Sequence, residues 1–239
     1  MAQVLSDEVI GLLNEEFSEQ APEKVIAYFL ERFRGRIALS SSLGLEDQVL
    51  TDMICNIDKT ARIFTLDTGR LFPETYSLIA RTNEHYDIKM EVLFPDRDSV
   101  ELLVKECGIN CFYRSVEDRK RCCKVRKIDS LKRAFTNLDV WICGLRRSQS
   151  VTRTKEQLVE FDSVNGLVKL NPLVAWTEED LKEYIKDHGV PYNKLHDKGY
   201  PSIGCQPCTR AVESGEDVRA GRWWWEDPTN RECGLHKRM

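Results

Sequence analysis

The chain has 239 residues and a mass of 27.7 kDa, is 41% hydrophobic and 31% charged, and carries a formal charge of −4. At this mass, surface scaling buries roughly 70% of the unfolded surface, enough for a core in one domain or in one domain with an appendage. Sparse glycine (13) and proline (8) exclude low-complexity disorder, no apolar run approaches the ~20 residues that span a bilayer, and the acidic start is unlike a secretory signal, so a cytoplasmic globular protein is expected.

Two amphipathic helices are predicted first. Val9, Leu12, Leu13 and Phe17 recur at helical spacing, and Pro22 can open a second helix carrying Val25, Ile26, Phe29, Leu30 and Phe33. Short apolar runs then alternate with helical patterns. Strands are predicted at Arg36–Ser40, Arg62–Leu66, Lys89–Phe94 and Val140–Gly144, with helices at Leu45–Asn56, Pro73–Tyr86 and Val100–Cys107. That alternation argues for a mainly parallel sheet covered on both faces, an α/β fold. Beyond Asn193 the pattern breaks into glycine, proline, cysteine, arginine and tryptophan. The expected organisation is a helical segment over 1–35, an α/β domain over 36–192 and a cysteine- and arginine-rich appendage over 193–239.

In parallel sheets, ligands sit at the carboxyl ends of strands. After the first strand comes Ser40-Ser41-Ser42-Leu43-Gly44-Leu45-Glu46-Asp47. Its hydroxyls, glycine and helix-start N–H groups suit an anion, although the loop is neither a Walker loop nor a Gly-x-Gly-x-x-Gly turn. After the second strand comes Leu66-Asp67-Thr68-Gly69-Arg70. The segment after Gly144 carries Arg146, Arg147 and Arg153, and guanidinium forks bind phosphate or sulfate bidentately. Residues 114–133 hold nine bases against three acids in an acidic chain, which favours a small anionic ligand or one specific partner over a nucleic-acid coat.

Nine cysteines are the odd feature. Four fall in close pairs, Cys122-Cys123 and Cys205-Gln206-Pro207-Cys208. In a cytosolic chain such pairs are more often metal ligands or redox groups than structural disulfides, and their spacing leaves zinc and iron–sulfur both open. Cys55, Cys107, Cys111 and Cys143 read as small hydrophobes. Cys233 lies near the end of the chain among cations and beside Gly234, a setting that favours a mobile, nucleophilic thiolate.

Taken together these motifs resemble the assimilatory adenylyl-sulfate reductases of the phosphoadenosine phosphosulfate reductase family. The likeness runs from about Arg36 to His236. It includes the serine-rich loop Ser40–Asp47, Leu66–Arg70, Gly144 to Arg153, the tandem cysteines followed by Arg126 and Lys127, and the Cys-x-x-Cys. It closes on Arg219–Trp224 and Glu232–His236. The resemblance implies an adenine-nucleotide hydrolase-like three-layer sandwich with a mobile C-terminal tail. It implies one [4Fe–4S] cluster per chain on Cys122, Cys123, Cys205 and Cys208. The implied reaction is attack of Cys233 on adenosine 5′-phosphosulfate to give AMP and an enzyme thiosulfonate, which thioredoxin reduces to sulfite. Substrate would be held by Ser40, Ser41, Ser42, Gly44, Glu46, Asp47, Asp67, Thr68, Gly69, Arg70, Lys127, Gly144, Arg147, Arg153, Arg219, Arg222 and His236, with the tryptophans Trp223 to Trp225 anchoring the tail on the sheet domain. Neither nucleic acid nor membrane is an expected partner, and the sequence is compatible with a homo-oligomer without fixing the oligomeric state. The competing readings are a reductase of the 3′-phosphorylated substrate or of both, a tRNA-thiolating enzyme, whose Ser-Gly-Gly-x-Asp-Ser loop is lacking, and a zinc-stabilised module without catalysis.

Overall fold

The computed structural model describes residues 5–149 and 155–227. Strands β1 (Ile37–Ser41), β2 (Arg62–Leu66), β3 (Glu91–Leu93), β4 (Val140–Ile142), β5 (Val159–Asp162) and β6 (Leu167–Leu170) form one sheet in the order β3-β2-β1-β4-β6-β5. All neighbours are parallel except β5 and β6, which pair antiparallel from Val159↔Leu170 to Asp162↔Leu167. The alternating pleat sends Ile37 and Leu39 to one face and Ala38 to the other. The first face packs against α1 (Asp7–Glu16), α2 (Pro22–Arg32), α3 (Leu45–Ile57), α4 (Pro73–Tyr86) and α8 (Glu178–His188). The second packs Phe64 and Trp141 against Leu131, Ala134 and Phe135 around α7 (Asp129–Ala134). Helices on both faces of a mainly parallel sheet make the expected α/β sandwich.

The N-terminal helices share the main core with the sheet. Ile10, Leu13 and Phe17 face inward, while Leu12 is 58% exposed, so the apolar stripe of α1 is narrower than its sequence spacing predicts. Asn14 replaces a missing neighbour for the edge strand: its side-chain nitrogen donates to Val159 O at 2.8 Å, and Val159 N donates to its oxygen at 3.0 Å. That covers an edge which would otherwise present unpaired backbone groups.

The chain moves outward from β1 to β2 and β3, then returns to lay β4 on the other side of β1. The reversal opens a crevice at the carboxyl ends of β1 and β4. On the second face, α5 (Arg97–Cys107) is followed by a 3-10 turn at Cys111–Tyr113 and by α6 (Val116–Cys123). Helix α6 runs into α7 through a single π-helical turn, Lys124–Ile128. Such turns are uncommon and concentrate at functional sites. This one follows directly on the tandem cysteines.

Candidate active site

The loop after β1 is built on Asp47. Its Oδ2 accepts hydrogen bonds from Ser42 N and Ser42 Oγ, both at 2.6 Å, while Leu43 N donates to Ser41 Oγ at 3.1 Å. Leu43 holds a left-handed φ of 62°, which turns the chain so that α3 starts beneath the loop. Burial raises the Asp47 carboxyl from 3.8 to about 6, against the opposing hydrogen bonds from Ser42 and from the Gly144 backbone. Gly144, at the end of β4, has no room for a side chain: a Cβ there would collide with Asp47 Oδ1 and lie 2.8 Å from Glu46 Cβ. Asp47 therefore joins the two loops across the crevice.

Glu46, expected to face substrate, accepts from Arg146 Nε at 2.9 Å and pairs with its Nη2 at 2.8 Å. Arg146 is 7% exposed and also donates to Ser148 Oγ at 2.7 Å. It braces the crevice wall, a role absent from the sequence expectation. Arg147 begins a short 3-10 turn and donates to Glu156 O at 2.9 Å. Ser40 is half-buried at the end of β1.

The segment after β2 connects the sheet to the cysteines. Asp67 Oδ1 accepts from Gly69 N at 2.7 Å and from the Tyr76 hydroxyl at 3.0 Å. Thr68 is fully buried, with its Oγ1 lying 3.2 Å from Cys205 Sγ and its carbonyl accepting from Arg126 Nη1 at 2.7 Å. Gly69 takes a φ of +69° and leaves the Arg126 guanidinium room beside it. Gln206 N donates to Arg70 O at 2.8 Å. Through these contacts the loop that contains Cys-x-x-Cys is fastened to the end of β2.

Both cysteine pairs line one enclosed cavity together with Arg126, Lys127 and Arg222. The eight cysteines among the described residues are thiols, not disulfides. Burial raises Cys122, and it raises Cys208 to about 12, where Cys205 and Cys123 add to it. Cys205 is held below its ordinary value: burial opposes ionisation, but Lys127, the Thr68 hydrogen bond, Arg222 and Arg126 together outweigh it. Among the described residues, no set of three or more histidine, cysteine and acidic side chains is arranged to hold a metal ion. The four thiols nevertheless share one cavity with cations behind them, a donor set whose chemistry fits a thiolate-bound metal group.

The C-terminal segment closes this cavity. Trp223, 2% exposed and at a φ of 43°, donates its backbone N–H to Cys208 O at 3.1 Å. The guanidiniums of Arg119 and Arg222 lie 4.7 and 4.6 Å from its ring. Arg119 is fully buried and bonds Glu226 through Nε at 3.0 Å and Nη2 at 2.8 Å. Trp225 packs on Tyr113 at 4.5 Å, and Trp224 is 38% exposed. The tryptophans thus seat on the cysteine-bearing helix and the 3-10 turn before it, elements of the sheet-bearing part of the chain. Arg219 is half-buried, and its N–H donates to Asp217 Oδ1 at 2.8 Å. Arg153, Cys233 and His236 lie outside the described residues. The buried pair Arg119–Glu226 had no sequence signal, since 107 residues separate its partners.

Comparison with known proteins agrees with this geometry. Residues 36–211 match the phosphoadenosine phosphosulfate reductase domain. The chain is 52% identical over 202 residues to adenosine 5′-phosphosulfate reductase of Allochromatium vinosum, covering 84% of this chain and 79% of that one. It is 49% identical over 201 residues to the protein of that name from Burkholderia cepacia, covering 84% and 80%. Among solved structures, the phosphoadenylyl-sulfate reductase of Candida auris, a phosphate complex, superposes with a TM-score of 0.75 at 28% identity, over 87% of this chain and 98% of that one. FMN adenylyltransferase of Candida glabrata shares the fold, with a TM-score of 0.55 at 14% identity and coverage of 91% and 80%. This chain belongs to the phosphoadenosine phosphosulfate reductase family.

Proposed function

We propose that this chain reduces adenosine 5′-phosphosulfate to sulfite and AMP in assimilatory sulfate reduction, with thioredoxin as the reductant. The observation that carries the reading is the joining of a nucleotide-type crevice to the four-cysteine cavity through Thr68, Arg70 and Arg126. In this reading 1–35 complete the core, 36–192 bind the nucleotide and 193–239 carry the catalytic tail. No helix among the described residues is long and apolar enough to cross a membrane.

The reaction places like charges together. A thiolate and a sulfate oxygen about 4 Å apart repel by about 4 kcal/mol at an effective dielectric of about 20. Lys127, Arg147, Arg153, Arg219 and Arg222 are the cations assigned to offset that repulsion and to stabilise charge on the departing phosphate. Ser40, Ser41, Ser42, Gly44 and Gly144 would receive the nucleotide's polar groups, with Glu46 and Asp47 holding their loop in shape. Asp67, Thr68, Gly69 and Arg70 would form the adjoining wall, and His236 would accompany the tail. The Cys233 sulfur attacks the sulfate sulfur, the S–O bond to the phosphate breaks, and AMP leaves with the electron pair. A thioredoxin thiolate then attacks Cys233 Sγ and releases sulfite, and the second thioredoxin thiol closes the disulfide. Cys122, Cys123, Cys205 and Cys208 would hold one [4Fe–4S] cluster, which when bound supplies a fixed structural and electrostatic element beside the substrate.

The test is sulfite release from adenosine 5′-phosphosulfate with thioredoxin present, set against the 3′-phosphorylated substrate. Cys233→Ser is expected to abolish sulfite release while still binding nucleotide. After substrate alone, mass spectrometry is expected to find the sulfonate on Cys233, and its appearance on another cysteine would overturn the assignment. Anaerobically purified protein is expected to contain about four irons per chain, whereas stoichiometric zinc would exclude the cluster.

A further inference from the structure

Apart from the four-cysteine cavity, the structure contains a second close pair of thiols. Helix α5 ends at Cys107, and Gly108 adopts a φ of +83°, in the left-handed region that glycine tolerates best. The chain then reverses through exposed Ile109 and Asn110 into the 3-10 turn that starts at Cys111. The reversal sets the buried Cys111 thiol beside Cys107, near enough for the two thiols to act on each other electrostatically. Cys107 is half-buried at the helix end, and Cys111 is 3% exposed. Arg121 Nη1 donates to Cys107 Sγ at 2.8 Å, and the same guanidinium pairs with Glu106.

These two cysteines are not simple core filler. Filler makes apolar contacts, whereas Cys107 is oriented by a guanidinium and faces a second sulfur. Arg70 grips the turn between them, donating to Ile109 O and, at 3.3 Å, to Asn110 Oδ1. Its guanidinium also lies 4.9 Å from the ring of Phe112, which lines the four-cysteine cavity.

We propose that Cys107 and Cys111 form a reversible dithiol–disulfide couple, distinct from the catalytic and cavity cysteines, that exchanges with a small-molecule disulfide such as oxidised glutathione. The accessible Cys107 sulfur attacks one sulfur of glutathione disulfide, its proton passes to solvent, and one glutathione leaves as the thiol. Cys111, sheltered behind it, then attacks Cys107 Sγ and expels the second glutathione. Two protein thiols lose two electrons and two protons, and one glutathione disulfide becomes two glutathione thiols. Closing the bond would pin the 108–110 turn that Arg70 holds. In a cytosolic setting, disulfides that form are mostly transient or redox-sensing.

Trypsin provides a direct readout, because cleavage after Lys105 and Arg114 places both cysteines in one peptide, Glu106–Arg114. The full-length protein is equilibrated with oxidised glutathione, alkylated and digested. The expected result is conversion of most of this peptide to a form lighter by two hydrogens and inert to alkylation, with dithiothreitol restoring two alkylation sites. In Cys107→Ala, a substitution on the accessible side of the pair, the light form is expected to vanish and Cys111 to stay alkylatable under denaturing conditions. The proposal is overturned if both cysteines of the wild type alkylate as in untreated protein. Glutathione retained on Cys107 without closure, or a cross-link from this peptide to Cys122, overturns it equally.

Discussion

Asp47 has a measurable consequence at the scale of one residue. The folded chain holds its proton more tightly than the unfolded chain, since the carboxyl rises from 3.8 to about 6 on burial. Its contribution to stability is therefore complete below the lower value and is lost as pH rises through the upper one. Urea unfolding of wild type and Asp47→Asn is expected to show the difference between them changing between about pH 4 and about pH 7, in the sense that the wild type loses ground as pH rises. Gly144→Ala tests the same junction sterically, because the added methyl meets Asp47 and Glu46. A loss of about 1–3 kcal/mol in thermal or urea unfolding is expected, as for an overpacked core. Arg119→Met would leave Glu226 charged at 8% exposure without its bidentate partner, an error that costs about 3–5 kcal/mol when a buried pair is broken. Arg119→Met combined with Glu226→Leu should recover part of that loss in the same unfolding measurement.

At the scale of elements, legibility followed local signals. β2 and α4 run over the residues expected for them, because a buried run between polar stretches and a helix opening on proline both leave marks in the sequence. The β5–β6 hairpin did not, since β6 buries Lys169 in mid-strand, where it pairs with Glu156 at 3.0 Å and Glu160 at 2.8 Å. A charge neutralised by tertiary partners reads as an exposed residue. Helix α8 opens on a capping box, Thr177 with Asp180, a local signal that hydrophobic periodicity does not register. Helix α5 ends at Cys107, as expected, and Gly108 turns the chain so that Cys111 opens a separate 3-10 turn, a placement that the spacing of the two cysteines does not reveal. The π-helical turn has no sequence signature, yet it carries both Arg126 and Lys127. Deleting Val125 should close it to an α-helical turn and break the Arg126–Thr68 bond. The expected outcome is retained helical circular dichroism with iron content well below that of wild type.

At the scale of the whole molecule, two kinds of core differ in character: the one packed on the faces of the sheet, and the one around the paired cysteines, which is tied to the end of β2 through Thr68 and Arg70. The sheet core is apolar and continuous with the N-terminal helices, and hydrophobic burial stabilises it. The second is a small cluster of Phe112, Trp223 and the four paired cysteines. It contains few apolar atoms, and it brings arginines and buried thiols close together. Hydrophobic burial alone gives such a cluster little stability, and under the proposed function metal–thiolate bonds would supply the remainder. Removing iron with a chelator under anaerobic conditions should therefore loosen one part of the molecule without unfolding the other. Hydrogen exchange is expected to accelerate over residues 116–128 and 203–226, while β1, β2 and β4 keep their protection. Uniform acceleration would mean that the two cores fold as one cooperative unit, and no acceleration would mean that the cysteine cavity is stable on its own contacts.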